Sequence, residues 1–390
     1  MASFERILTT HAGSLPRPAK LLAIMRGEGA GTTVEHEAVL ATAVRECVDA
    51  QLAAGIDVVS DGEMSKPSYA TYVKDRLTGF AGEGHMPLPS DLAEFPTYAG
   101  RVFADPGIAA LRTPTCVGPV AYRDEAALAR DLTNLRGALG SKAVDGFVTA
   151  ASPGVIALFL ENHHYPNEDA YLDALAAAMR KEYRAIVAAG FVLQIDAPDL
   201  AMAGHMTFAG SSIDHFRRAV ERHIAVIDAA TSDLPPERMR IHVCWGNYEG
   251  PHHRDVPLEQ IADLLVRARP SQLSFAAANP RHEHEWRVWE RVRLPDHKIL
   301  VPGVIDSTTN FVEHPALVAE RIQRFADVVG PERVIAGTDC GFGTFAGLAG
   351  VDPAVVWAKL AALVQGARAA SRALRSRAAE RSQAELTSWP

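Results

Sequence analysis

Arg240-Ile-His-Val-Cys-Trp245 is the stretch from which the rest of the chain is best read. Taken as the end of a strand, it turns His242 and Cys244, two positions apart, to the same side. An imidazole and a thiolate side by side at a strand end make half of a zinc site. The plain alternative is a pair of half-buried core residues. The best donor for the other half is Cys340 in Gly337-Thr-Asp-Cys-Gly-Phe-Gly343, which follows the apolar run Arg333-Val-Ile-Ala336.

Outward from that stretch, short apolar runs alternate with helical segments, the pattern of a parallel sheet with crossover helices. The runs fall at 7–10, 56–60, 146–150, 191–195, 240–244, 272–275, 299–303 and 334–336. Helices are expected over 34–54, ending at Gly55, and over 167–189, 215–231 and 314–329. Eight strands predict an α/β fold of the (β/α)₈ TIM-barrel type rather than a doubly wound sheet. Residues 66–145 form an excursion between strands two and three, with a short strand at 115–119 and a helix at 125–139. An Ala/Arg-rich tail, 355–385, reads as a closing helix.

The length, 390 residues, suits two average domains or one large barrel, and the strand count selects a single domain, 1–390. Hydrophobic content of 48% with 22% charged residues is that of a soluble globular enzyme. A net charge of −8 argues against a nucleic-acid partner. No apolar run approaches the ~20 residues that span a bilayer, and the N-terminus does not read as a signal peptide. Cys47, Cys116, Cys244 and Cys340 do not suggest a disulfide framework in a chain this long. A cytoplasmic protein with reduced thiols is therefore expected. Cys47 falls in a helical run and reads as core, Cys116 receives no role, and a homo-oligomer stays open.

In such a barrel the chemistry gathers at the C-terminal ends of the strands. Those ends carry Ser14, Asp61 and Glu63, Asp196 and Asp199, His242 and Cys244, Asn279 and Arg281, Asp306, and Asp339 and Cys340. A carboxylate there can simply cap the next helix, and Asp61 and Asp199 remain open to that role. Shared metal binding is the simpler account of His242, Cys244 and Cys340 together. Two thiolates and an imidazole favour Zn²⁺ over oxygen-seeking Mg²⁺ or Ca²⁺. Three protein ligands leave a fourth position for substrate. A thiol bound there would lose its proton and become a nucleophile at neutral pH. Hydrolysis by zinc-bound water is the competing use, disfavoured because thiolate ligands make the metal a poorer Lewis acid.

The motifs Thr9-Thr-His-Ala-Gly-Ser-Leu-Pro16, Asp61-Gly-Glu63, Gln194-Ile-Asp-Ala-Pro198, His242-Val-Cys244, Gly303-Val-Ile-Asp306 and Asp339-Cys-Gly341 run in order over about residues 5–345. In that order they resemble the C-terminal catalytic barrel of cobalamin-independent methionine synthase and the shorter proteins related to it. The resemblance implies a (β/α)₈ barrel whose zinc presents a small thiol such as homocysteine for alkylation by a methyl donor. It makes His242, Cys244 and Cys340 the zinc ligands and Ser14, Glu63 and Asp196 the groups that hold the amino-acid thiol. Glu63 and Asp306 would act in catalysis, Asp306 by tuning the site, and Phe159 falls near the tryptophan that stacks on the folate donor.

Three departures stand against the pattern. The family's glutamate ligand falls near Ala276, with Glu283 and Glu285 as nearby substitutes. The catalytic histidine expected after Asp306 is replaced by Ser307-Thr-Thr-Asn310. The third is Phe159 itself, together with the absence of the family's N-terminal half. A related branch, similar in its His-x-Cys…Cys site, is epoxyalkane:coenzyme M transferase, which adds a thiol to an epoxide. There Arg254 or Arg281 could pair with a sulfonate or carboxylate. A barrel that binds a small sulfur compound without turnover is the non-catalytic alternative.

Overall fold

The computed structural model describes residues 5–387 apart from 29–31, 86–87, 106–112, 124, 143 and 349, with side chains described as far as residue 380. The strands in chain order are β1 Leu8–Thr9, β2 Val58–Ser60, β3 Phe80–Ala81, β4 Thr115–Cys116, β5 Asp145–Ala151, β6 Val192–Asp196, β7 Met239–Val243, β8 Gln272–Phe275, β9 Ile299–Ile305 and β10 Ile335–Thr338. Eight of them form one sheet in the order β1-β10-β9-β8-β7-β6-β5-β2. Every neighbouring pair along it is parallel.

These eight are the strands expected from the apolar runs, and they make a (β/α)₈ barrel. The last seam, between β1 and β2, has no ladder. It is bridged by Asp57 N–H donating to Thr9 O at 3.1 Å and by Thr10 Oγ1 donating to Val58 O at 3.0 Å.

Local chemistry sets the crossover helices. Helix Thr33–Ala54 begins at a capping box, in which the Thr32 side chain and Glu35 bond each other's backbone N–H groups. It ends at Gly55, whose φ of 90° places it in the left-handed region that terminates helices. Asn167 caps Glu168–Ala188, and Ser212 caps Ile213–Ala230.

The barrel interior is filled around Arg240. Its guanidinium lies 4.1 Å over the Phe147 ring and donates to Thr10 Oγ1 and His11 O. Burial lowers the pKa of Arg240 to about 9. The last helix, Pro353–Thr387, packs along Pro315–Val329 and against β1, β9 and β10. Its Ser371 hydroxyl accepts the Ile7 N–H at 3.0 Å. Among the described residues, no helix is long and apolar enough to cross a membrane.

Between β2 and β5 the chain passes through short helices and the antiparallel β3–β4 pair, with Phe80 opposite Cys116. The strand expected over 115–119 is thus only Thr115–Cys116. The excursion is tied down at both ends. Arg76 is buried between Asp131 and Glu182, and Tyr72 and Tyr122 both donate to Glu182. Further along, Asp91 accepts the Tyr248 hydroxyl and the His252 N–H.

Candidate metal and substrate site

The β6–β7–β8 register places Asp196, His242 and Ser274 side by side at the C-terminal ends of their strands. His242 Nδ1 lies 3.0 Å from Ser274 Oγ, while its buried Nε2 has no partner. With Nδ1 protonated and donating to Ser274, Nε2 presents its lone pair inward. Cys244 follows β7 directly, and the chain after β10 brings in Cys340. One ligand atom from each of His242, Cys244 and Cys340 lies within 4.8 Å of the others. The two sulfurs are 4.0 Å apart. Two ligands at the usual Zn–S distance around a tetrahedral centre stand about 3.8 Å apart, so the donor set and its spacing fit zinc. The same distance is roughly twice a disulfide bond. The Cys340 thiol, donating to Cys244, pulls the Cys244 thiol below its ordinary value against the effect of burial, and His242 adds to that pull. The same pairing, with burial, pushes Cys340 up.

Beside this triad lie two carboxylates. Asp61 Oδ1 accepts the Glu63 N–H at 2.9 Å, and the turn holds Glu63 at φ 56°, in the left-handed region. Glu63 Oε1 accepts the Thr149 hydroxyl at 2.9 Å, and Oε2 is buried without a partner. Gly13 makes room for this carboxylate: at φ +132°, its Cβ would lie 2.6 Å from Glu63 Oε1. Asp196 accepts Gln194 Nε2 at 2.7 Å. Burial, reinforced by the Glu63 charge, pushes its pKa up to about 7. Two buried carboxylates with so few donors suit a cationic ligand. Ser14 lines the same site, its Oγ accepting the Gly343 N–H at 3.3 Å and its carbonyl the Phe342 N–H at 2.7 Å. A Cβ at Gly341 would collide with that hydroxyl.

The triad, the two carboxylates and Ser14 open into one cavity of about 360 Å³. Ser14, Glu63, Asp196, Phe159, His242, Cys244 and Cys340 line it together. Asp306 does not. Its carboxylate accepts the N–H and hydroxyl groups of both Thr308 and Thr309, so it shapes a turn from which Ser307 and Thr308 reach the cavity.

Other expected groups are also placed elsewhere. Glu283 pairs with Arg321 and Arg324, and Glu285 accepts the Leu258 N–H and bonds His282, so neither joins the ligand triad. Both lie in or beside a 3₁₀ helix, Glu283–Glu290. Arg254 pairs with Glu94, and Arg281 reaches the His253 carbonyl, neither lining the cavity. Asp199 binds Ser152 and His223, and Ala276 is buried after β8.

Several cavity residues carry no signal in the sequence. Tyr69, Leu92 and Val102 belong to the excursion, and Asn247 to the loop after β7. Tyr69 packs edge-on against Phe159 at 5.9 Å, and no described residue partners its hydroxyl. Only tertiary contacts bring these distant segments to the strand ends. Gln194, which does not line the cavity but donates to Asp196, is different: its period-two spacing from Asp196 could have revealed a shared face.

Residues 7–363 match the family model described as the catalytic domain of cobalamin-independent synthase. A methionine synthase of Thermococcus kodakarensis is 25% identical over 371 residues, covering 94% of this chain and 94% of the relative. One from Saccharolobus solfataricus is 25% identical over 386 residues, covering 94% and 96%. A B12-independent methionine synthase from a Shewanella species, solved in complex with selenomethionine, superposes with a TM-score of 0.74 at 21% identity, covering 95% of this chain and 99% of that one. A putative vitamin-B12-independent methionine synthase from Listeria monocytogenes gives 0.65 at 18%, covering 94% and 98%. Both structural likenesses are to barrels of this architecture.

Proposed function

Because this chain belongs to the family of cobalamin-independent synthase catalytic domains, we propose that it is a zinc-dependent alkyltransferase acting on a small amino-acid thiol such as homocysteine, with methyl transfer as the first reaction to test. The observation that carries this reading is the convergence of three soft ligands and two buried carboxylates on one cavity. His242, Cys244 and Cys340 would hold the metal. Zinc held there would keep the substrate sulfur deprotonated and nucleophilic at neutral pH.

The remaining work falls to the chain's own side chains. Glu63 and Asp196 take the substrate ammonium, which relieves the repulsion between the two carboxylates. The Ser14 hydroxyl, fixed by the 341–343 loop, is available to donate to the substrate carboxylate. Phe159 supplies an apolar surface for the alkyl donor, and Asp306 positions the turn that carries Ser307 and Thr308. The whole chain acts as one domain, in the cytoplasm, where thiols stay reduced. Its partners are the thiol and an alkyl donor.

Elemental mass spectrometry of protein purified without added metal tests the site, and methionine formation from homocysteine tests the reaction. About one zinc per chain is expected, falling sharply in Cys244→Ala and Cys340→Ala. A chain that stays metal-free when zinc is supplied refutes the proposal.

A further inference from the structure

The polar groups of the cavity are concentrated at the strand ends, and the wall facing them is apolar. Leu92 and Val102 of the excursion, Phe159, Met202, Met206 and Phe345 line it. Most polar side chains on that wall already have partners. The Tyr248 hydroxyl donates to Asp91 at 2.7 and 2.8 Å. Asn247 donates to Gly341 O and Thr344 Oγ1 and accepts from Ser307, while Thr308 donates to Asp306.

Two tyrosines are exceptions: Tyr98, partly exposed beneath Arg101, and Tyr69, whose ring is wedged against Phe159 and Phe345 and whose hydroxyl has no described partner. Cationic partners are scarce as well. Among the described lining residues, Arg101 is the single Lys or Arg, exposed and lying over the Tyr98 ring, and the Glu249 carboxylate lines the same cavity. A donor bearing several carboxylates would meet repulsion and unpaired desolvation there.

We propose that the second substrate is a small, neutral, largely apolar alkylating molecule whose departing heteroatom accepts a hydrogen bond from Tyr69. This rests on the alkyl-transfer reading above. In the reaction, the thiolate sulfur forms a bond to the alkyl carbon as the carbon–heteroatom bond breaks. The bonding pair leaves on the heteroatom, and the proton originally on the thiol passes to water. Tyr69 stabilises the charge growing on the departing atom, a task suited to a donor fixed in an apolar surround. Burial keeps its phenol protonated, raised well above the ordinary tyrosine value.

The test is ¹⁹F NMR binding to the zinc-supplied, homocysteine-saturated protein, with 4-fluoroanisole as a neutral probe carrying an acceptor oxygen and 1-ethyl-4-fluorobenzene as its counterpart without one. Both should bind. Tyr69→Phe should weaken the anisole about fivefold, the worth of one hydrogen bond, and shift the ethyl compound by less than about twofold. Met206→Glu should weaken both at least about tenfold, with homocysteine binding, measured by calorimetry on the same sample, confirming an intact fold. Homocysteine binding without either probe overturns this proposal alone, as does an unchanged anisole affinity in Tyr69→Phe. Tighter binding of a polyglutamylated folate than of the anisole overturns it too. Loss of homocysteine binding in the unmodified chain removes the underlying reading, and the proposal with it.

Discussion

Glu63 is a glutamate held where glutamate rarely sits, at φ 56°, by the Asp61 carboxylate in front of it and by Arg17, which donates to its carbonyl at 3.0 Å. Such left-handed strain persists only where the surroundings over-determine it, and it concentrates at functional sites. Here it aims a buried carboxylate with one oxygen unpaired beside Asp196. Glu63→Gln keeps the shape and removes the charge. Homocysteine affinity should drop by roughly 10- to 100-fold, the range of a charge-assisted hydrogen bond, as measured by calorimetry. A change below twofold would remove Glu63 from the ammonium site. Gly341 gives a second test at this scale. Because an added Cβ would collide with the Ser14 hydroxyl, Gly341→Ala should raise the KM for the thiol. An unchanged KM would remove Ser14 from substrate binding.

Among the elements, the loop after β7 depends on a buried network rather than on packing alone. His282 bonds Asp255 at 2.8 Å and Glu285 at 2.7 Å, and its ring stacks under Trp245 with centroids 4.1 Å apart. His252 shares the same Asp255 oxygen at 2.9 Å. Burial alone would lower the His282 pKa, but the hydrogen bonds to Asp255 and Glu285 and their charges overcome it and raise it to about 9. A histidine whose folded pKa exceeds its unfolded value stabilises the fold fully below the unfolded value, near 6.5. That contribution is lost as pH rises through about 9. Thermal melts from pH 6 to 10 should show this decline, worth at most about 3 kcal/mol. In His282→Gln the decline should flatten; an equal slope in both proteins would assign the effect to other groups.

On the scale of the molecule, the excursion between β2 and β5 forms one wall of the cavity, and Asp91 fastens it to the loop that follows β7. Asp91→Ala removes a buried acceptor and leaves the Tyr248 hydroxyl and His252 N–H without it. A loss of about 2 kcal/mol is expected, with faster proteolytic cutting within 80–105. Zinc content should hold, because the three ligands stand on strand ends rather than on the excursion. Loss of zinc in this variant would show that the wall and the metal centre fold as one unit.

The sequence by itself determined the barrel, because eight apolar runs separated by helical segments leave few ways to bury every strand on both faces. It also placed Ser14, Glu63, Asp196, His242, Cys244 and Cys340 at strand ends, which that topology brings to one mouth. Tertiary structure decided the rest. Asp306 turned inward on Thr308 and Thr309, and Glu283, Glu285 and Arg254 found partners away from the cavity. Tyr69, Asn247 and the excursion wall joined it. Strand periodicity fixes the direction of a side chain on a sheet, but a loop side chain points wherever its hydrogen bonds are satisfied. Those partners lie far away in the chain: 157 positions separate Asp91 from Tyr248. No local pattern records a contact of that kind.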